Sequence, residues 1–303
     1  MAELARNERF DLADRVIWVG IVANVVLTVL KMTAGWYGHS QAVFADGVES
    51  ACDLVVCIGS MVALRISRQP WDTRHPYGHG KAESIAALVV GLVIMGTGIY
   101  IVANSLHVLL AHAPERPQWI AVAAAAFTVV SKEGLARYTF RRGRRIGSPS
   151  LLALAQDHRK DAITSVATVI GAGGAMLGLL ALDPIVAGIT ALLILKTGWG
   201  VFHGASQDLM DAAIPEEMER GITAIARQVE GVEHVHEIKG RRSGQYVIVD
   251  MKLEMDGGMT VARSHQIASE VKCRIFAAHP AVGDVMIHVN PHDDPDHQDL
   301  IRL

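Results

Sequence analysis

The stretch ADGVESACD at residues 45–53 places three acids inside a segment, residues 41–64, that is otherwise apolar and long enough to cross a membrane. Asp46, Glu49 and Asp53 recur at spacings of three and four residues, so they share one face of a helix. A carboxylate in hydrocarbon is costly unless it faces a cavity, a partner or an ion. Three acids on one face therefore predict that something neutralises that face.

A second acidic pair lies in the fifth apolar segment of the chain. Asp157 and Asp161 are four residues apart and also share a helical face. Counting inward from the ends of their segments at about 1.5 Å per residue places both acid pairs at a similar depth, ~12–18 Å. We predict that four carboxylates meet near the membrane midplane and hold a divalent cation: Glu49, Asp53, Asp157 and Asp161.

Two other observations bear on this prediction. The acids could instead pair with basic residues of the same segment, such as Arg159 or Lys160. The purely apolar part of the fifth segment begins only at Ala162, so hydropathy alone would place Asp157 near the cytoplasmic edge. A water-filled cavity open to the cytoplasm would reconcile the two positions.

The composition is that of an integral membrane protein. The chain has 303 residues, of which 50% are hydrophobic, and its mean hydropathy is +0.28. The formal net charge of -3 gives no reason to expect a nucleic-acid partner. The three cysteines form no CxxC motif and no disulfide framework, and residues 1–15 lack the form of a cleavable signal peptide.

The hydropathy pattern divides the chain into a membrane part and a soluble part. Each apolar segment is long enough to span a bilayer, and they fall at residues 16–36, 41–64, 84–111, 118–136, 149–181 and 184–203. From about residue 207 charged and apolar residues alternate. We expect an all-α membrane domain of six transmembrane helices at residues 1–206, an α+β cytoplasmic domain at residues 207–291, and a disordered tail at residues 292–303.

Basic residues predict the orientation of the chain in the membrane. They are concentrated in the second and fourth connections, residues 65–81 and 137–145, whereas the alternate connections are short and nearly uncharged. Both termini are therefore expected in the cytoplasm, with the arginines of residues 141–145 on lipid headgroups. We expect a bacterial cytoplasmic membrane or an organelle membrane derived from it. Ser148-Pro149 and Asp183-Pro184 are predicted to begin the fifth and sixth helices.

The second connection contains a candidate metal site. Asp72, His75 and His79 follow one another at spacings of three and four residues. Two imidazoles and a carboxylate suit zinc or a similar first-row ion. The alternative is that these residues are simply solvated in a polar loop.

The soluble part predicts an open sheet with helices on one face, in the order α-β-β-α-β. The predicted elements are Pro215–Glu230, His236–Gly240, Gln245–Met255, Thr260–Ala278 and Val285–Val289. The candidate metal ligands of this domain are His236, Asp250, His265 and His288. The acidic, histidine-containing run of residues 292–297 could bind metal weakly, but a solvated, disordered tail is favoured.

These motifs together resemble the cation diffusion facilitators, the proton-coupled exporters of divalent metals. The resemblance covers nearly the whole chain and is carried by residues 45–53, 74–84 and 157–162. It implies a transport site at Glu49, Asp53, Asp157 and Asp161, and a loop site at Asp72, His75 and His79. It also implies metal binding in the cytoplasmic domain, where His236, His265 and His288 match positions used by relatives and Asp250 with His288 resembles a simpler dimer-interface site.

The resemblance also bears on the metal. Zinc exporters of the family usually carry a histidine in one or both transport pairs, whereas this chain has Glu49 and Asp157, with His158 one residue out of place. An all-carboxylate site is hard and favours Mn²⁺ or Fe²⁺, with Zn²⁺ possible. In this the chain resembles the manganese branch and the magnetosome relatives.

The function implied is export of a divalent metal from the cytoplasm by proton antiport. Desolvation and mutual repulsion let the carboxylates hold protons until a cation displaces them. A homodimer joined by the cytoplasmic domains would sense metal, which acts as both substrate and regulator. The alternatives are a non-transporting, metal-sensing scaffold and a membrane-embedded metalloenzyme. The latter is disfavoured because the sequence has no HExxH-type motif, so no enzyme activity is expected.

Overall fold

The computed structural model describes residues 6–111 and 114–292, with side chains from residue 12 onward. The chain forms two compact units. One comprises Met1–Gly59 with Val89–Phe202, and the other comprises Ser60–Leu88 with His203–Leu303. The predicted tail lies outside the described residues, except for His292.

Six long helices follow one another, as predicted. They are α1 Arg6–Tyr37, α2 Gln41–Ser67, α3 Lys81–Leu110, α4 Trp119–Ile146, α5 Pro149–Met176 and α6 Leu182–Leu209. Among the described residues, five of these helices are long and apolar enough to cross a membrane, and α5 is not one of them. Residues 157–161 put four charged side chains into the first half of α5, which lowers its hydropathy. The predicted count of six spans is therefore not confirmed by composition.

Local sequence explains where α5 begins and ends. The Ser148 hydroxyl accepts a hydrogen bond from the backbone N–H of Leu151, and Pro149 occupies the first turn, as predicted. The helix ends at Met176, five residues before the predicted end. Gly178 follows with φ at 114°, a conformation that favours glycine and cannot continue an α-helix.

Asp183 has a different role from the one predicted. Helix α6 already begins at Leu182, so Asp183 is not its N-cap. Its carboxylate instead accepts hydrogen bonds from the Ser40 hydroxyl and the Gln41 backbone N–H, each at 2.6 Å. Asp183 therefore caps the start of α2, because its side chain satisfies a backbone donor that the first turn leaves unpaired.

Helices α1 and α2 approach closely because both carry glycine at the contact. A Cβ on Gly35 would lie 2.5 Å from the Phe44 nitrogen, and a Cβ on Gly47 would lie 2.8 Å from the Met32 nitrogen. Any side chain at either position would push the helices apart. This close contact brings Lys31, the neighbour of Met32, next to the acids of α2.

The C-terminal elements have the predicted order. They are α7 Glu216–Arg227, β1 His234–Ser243, β2 Tyr246–Met255, α8 Val261–Ala278 and β3 Val282–Pro291. The sheet order is β1-β2-β3, with β1 antiparallel and β3 parallel to β2. Alternate residues of β2 from Val247 to Met255 are buried in a core shared with both helices. The intervening residues, Asp250, Lys252 and Glu254, occupy the opposite face of the sheet.

Candidate metal centres

Asp161 of α5 lies near Glu49 and Asp53 of α2, but among the described residues no three of the four predicted transport ligands bring their ligand atoms within 4.8 Å of one another. Asp161 lies close enough to Glu49 and Asp53 for their charges to repel one another. Glu49 is half-buried and Asp53 is exposed, and Oε2 of Glu49 is buried without a hydrogen-bond partner among the described residues. An unpaired carboxylate oxygen among other acids is an arrangement suited to a cation.

Two lysines that the sequence reasoning missed complete this region. Lys132 of α4 donates hydrogen bonds of 2.7 Å to Asp161 Oδ2 and to Asn24 Oδ1. Lys31 of α1 contacts Asp46 Oδ1 at 2.9 Å, and both side chains are at most 4% exposed. The pairing of acids with basic residues is therefore real for part of the cluster.

The basic partners differ from those considered from sequence alone. Lys132 pairs with Asp161, whereas Arg159 lies 3.6 Å from Glu133. Lys160 lies near enough to Asp53 for the opposite charges to attract, but the two side chains form no ion pair among the described residues. The sequence contained a signal for both lysines, because a single lysine in an apolar span is costly and predicts an acidic partner within the membrane.

A serine connects α2 to α5. The Ser165 hydroxyl donates a hydrogen bond of 2.9 Å to Asp46 Oδ2 and is itself buried. Asp157 lies two turns before Ser165 and is exposed. His158 is buried, and its Nε2 faces Gly20 of α1 without a hydrogen-bond partner in the described part of the chain. His158 therefore packs against α1.

The structure brings together the three candidate ligands of the loop between α2 and α3. Ligand atoms of Asp72, His75 and His79 all lie within 4.8 Å of one another. Asp72 Oδ1 accepts hydrogen bonds from the backbone N–H groups of His75 and Arg74 at 2.6 and 2.8 Å. The bond from His75 contributes most to holding the pKa of Asp72 below its usual value, so the carboxylate is charged and preorganised for a cation.

The four ligands predicted for residues 207–291 do not form one cluster within the described part of a single chain. Asp250 and His288 are two register positions apart on the same face of β2 and β3. Lys252, the register partner of His288, puts a positive charge beside them. His265 is exposed on α8, and α8 packs against the other face of the sheet.

The sequence of this chain matches two family models in succession. The cation efflux transmembrane domain matches residues 17–210. The cytoplasmic domain of cation efflux proteins matches residues 214–292. The chain belongs to the cation efflux family. It is therefore an integral membrane protein of divalent metal transport, from a family of transporters and not of enzymes.

Two relatives that the chain matches over nearly its whole length agree with this assignment. The manganese efflux system protein MneP of Bacillus subtilis (strain 168) is 33% identical over 293 residues, which is 94% of this chain and 98% of MneP. The magnetosome protein MamB of Magnetospira sp. (strain QH-2) is 30% identical, covering 92% of this chain and 95% of MamB. A manganese form of the MamM CTD is 24% identical, with a TM-score of 0.25, and covers 25% of this chain and 96% of that one.

Proposed function

We propose that this cation efflux protein exports Mn²⁺ or Fe²⁺ from the cytoplasm in exchange for protons, with Zn²⁺ as a possible substrate. The observation that carries the proposal is the unpaired, buried Oε2 of Glu49 beside Asp53 and Asp161. Carboxylate oxygens are hard ligands and suit Mn²⁺ and Fe²⁺ better than zinc. The name of the relative MneP supports manganese.

The Ser165–Asp46 hydrogen bond supports Asp157 as the fourth ligand. This bond fixes the register of α2 against α5. Glu49 and Asp53 lie three and seven residues after Asp46, and the acids of α5 lie four and eight residues before Ser165. The alternating orientation predicted for the spans makes α2 and α5 antiparallel. Three and seven residues along α2 then cover nearly the same distances as four and eight residues along α5, so the two acid pairs lie at matching depths. The exposure of Asp157 then marks the side from which a hydrated cation enters.

Lys132 and protons would balance the charge of the site when no metal is bound. Asp161 is held by Lys132, which leaves Glu49 and Asp53 to be neutralised by protons. A divalent cation supplies two positive charges, so its arrival displaces protons and competes with Lys132 for Asp161. Exchange of the two states across the membrane is metal–proton antiport.

The cytoplasmic domain would support a homodimer that senses metal. Asp250 and His288 lie on one sheet face, where a second copy could complete their coordination, and Asp72, His75 and His79 form the loop site. In this proposal both termini are cytoplasmic, lipid contacts the arginines of residues 141–145, and the membrane is a bacterial cytoplasmic membrane or one derived from it. The functional domains are residues 1–206 and 207–291.

Flux into proteoliposomes tests the proposal. With the panel of manganese, ferrous iron, zinc, cobalt and nickel, we expect manganese or iron to be transported best and each transported ion to move protons the other way. Asp53→Ala and Asp161→Ala should abolish flux. The matched control is Glu133→Gln. It removes an acid of α4 that pairs with Arg137 of the same helix and is not a predicted ligand. A folded wild-type protein that moves none of these metals would instead be a scaffold.

A further inference from the structure

Three histidines surround the carboxylate of Glu254 at one end of the C-terminal sheet. His234 is the first residue of β1 and the register partner of Glu254, which is the penultimate residue of β2. His292 directly follows β3, and its backbone N–H donates a 2.8 Å hydrogen bond to the Met255 carbonyl. The register shift between Val235 and Glu237 places His236 at a bulge on the same strand end. All three strands thus contribute to one cluster.

Ligand atoms of His234, His236 and Glu254 all lie within 4.8 Å of one another, and His292 contacts the same carboxylate. Nδ1 of His236 lies 3.1 Å and Nδ1 of His234 lies 3.6 Å from Glu254 Oε1. Nδ1 of His292 lies 2.8 Å from the other carboxylate oxygen. Ligand atoms that each lie about 2.1 Å from a tetrahedral zinc are separated by about 3.4 Å. Small side-chain rotations would therefore admit a cation without moving the backbone.

We propose that the Glu254 site, formed by His234, His236, Glu254 and His292, binds one borderline first-row divalent cation such as Zn²⁺. Imidazole nitrogen outnumbers carboxylate oxygen here, which favours zinc over manganese. Glu233 Oε2 lies 3.8 Å from Nε2 of His292, on the side from which a carboxylate orients a metal-bound imidazole.

The Glu254 site differs from the other candidate metal sites in its position and in the metal that its ligands favour. It shares only His236 with the ligand set predicted for the cytoplasmic domain, and its ligands come from one chain. The positive charge of Lys252 beside His288 opposes a cation there, whereas the groups around Glu254 are imidazoles that can bind one. The transport cluster consists of carboxylates, so the Glu254 site would respond to a different metal from the proposed cargo. Metal binding at the Glu254 site is separate from the proposed function and does not depend on transport.

Metal binding to the full-length protein in detergent tests the site. The loop histidines are first replaced in a His75→Ala/His79→Ala background, so that no other imidazole-rich group in the described residues remains. With Zn²⁺, equilibrium dialysis should show one equivalent fewer in Glu254→Gln and in His292→Ala than in the background protein. With Co²⁺, the intense visible absorption of a nitrogen-rich, four-coordinate ion should be lost in both variants.

The matched controls are Glu270→Gln and Cys273→Ser, which remove exposed potential ligand atoms of α8 outside the cluster. Both should keep the cobalt spectrum and the zinc equivalent. Zinc should raise the unfolding temperature of the background protein and of the controls, because a ligand that binds the folded state stabilises that state. It should not raise the unfolding temperature of Glu254→Gln, which lacks the site. Unfolding without metal shows whether each variant is folded. A folded Glu254→Gln variant with an unchanged zinc equivalent and cobalt spectrum would overturn the inference.

Discussion

Replacement of Lys132 by methionine tests whether this lysine competes with the transported metal. Lys132 is 2% exposed and its ammonium lies 2.7 Å from Asp161 Oδ2. Methionine has a similar length and no charge, so Lys132→Met frees Asp161 without a large cavity. We expect tighter metal binding, because the incoming cation no longer has to displace or approach an ammonium group.

The expected size of the effect follows from the ion-pair geometry. At an effective dielectric constant of about 20, opposite unit charges 2.7 Å apart attract by about 6 kcal/mol. Desolvation of the buried lysine offsets much of this attraction. If about 1.4–2.8 kcal/mol remains, the KM for Mn²⁺ falls about 10–100-fold in the variant. Asp161 is 31% exposed, which limits the cost of leaving it unpaired.

The assay is manganese flux into proteoliposomes over a range of Mn²⁺ concentrations, with unfolding in detergent measured in parallel. Lys132→Arg keeps the charge and should keep the KM. Lys196→Met removes an exposed lysine from α6 and should also leave the KM unchanged. The unfolding temperature of Lys132→Met should fall without metal and recover when Mn²⁺ is added. A folded Lys132→Met protein with an unchanged or higher KM would refute the competition.

Three further changes have definite expected outcomes. Asp157→His should raise the zinc-to-manganese flux ratio, because imidazole binds zinc better relative to manganese than carboxylate does; a flat ratio would show that Asp157 is not a ligand. Ending the chain after Leu209 should leave a protein that inserts but transports poorly, since the proposed homodimer loses the domain that joins its two copies; undiminished flux would make the cytoplasmic domain dispensable. The hydrogen bond from Lys81 is the main cause that lowers the pKa of Asp211 from its usual value of 3.8. The ionised Asp211 therefore stabilises the folded protein at pH values above 3.8, and this stabilisation is lost as the pH falls through the lowered pKa. Asp211→Asn should therefore cost less than about 1 kcal/mol at pH 7, because the pair is exposed, and should reduce the loss of stability on acidification below about pH 4, as measured by urea unfolding.

The sequence alone was sufficient for the elements and the family. Apolar runs longer than a bilayer span and the alternation along β2 reflect local chemistry, so the six helices and the α-β-β-α-β order are confirmed. The carboxylates of α2 and α5 were also visible, because acids in apolar segments are costly wherever the helices go. Ser148 was recognised as a cap because its partner, Leu151, is three residues away.

Only the tertiary structure decided which side chains meet across elements. Lys132 reaches Asp161 and Lys31 reaches Asp46 because α4 and α1 pack beside the acids, and no spacing along the chain encodes that contact. Asp183 caps a helix 142 residues away in the sequence, so its Asp-Pro context indicated the wrong helix. His236 lies beside Glu254 because strand register and a bulge bring β1 to β2, and residues that share a metal-ligand chemistry become a site only through such register.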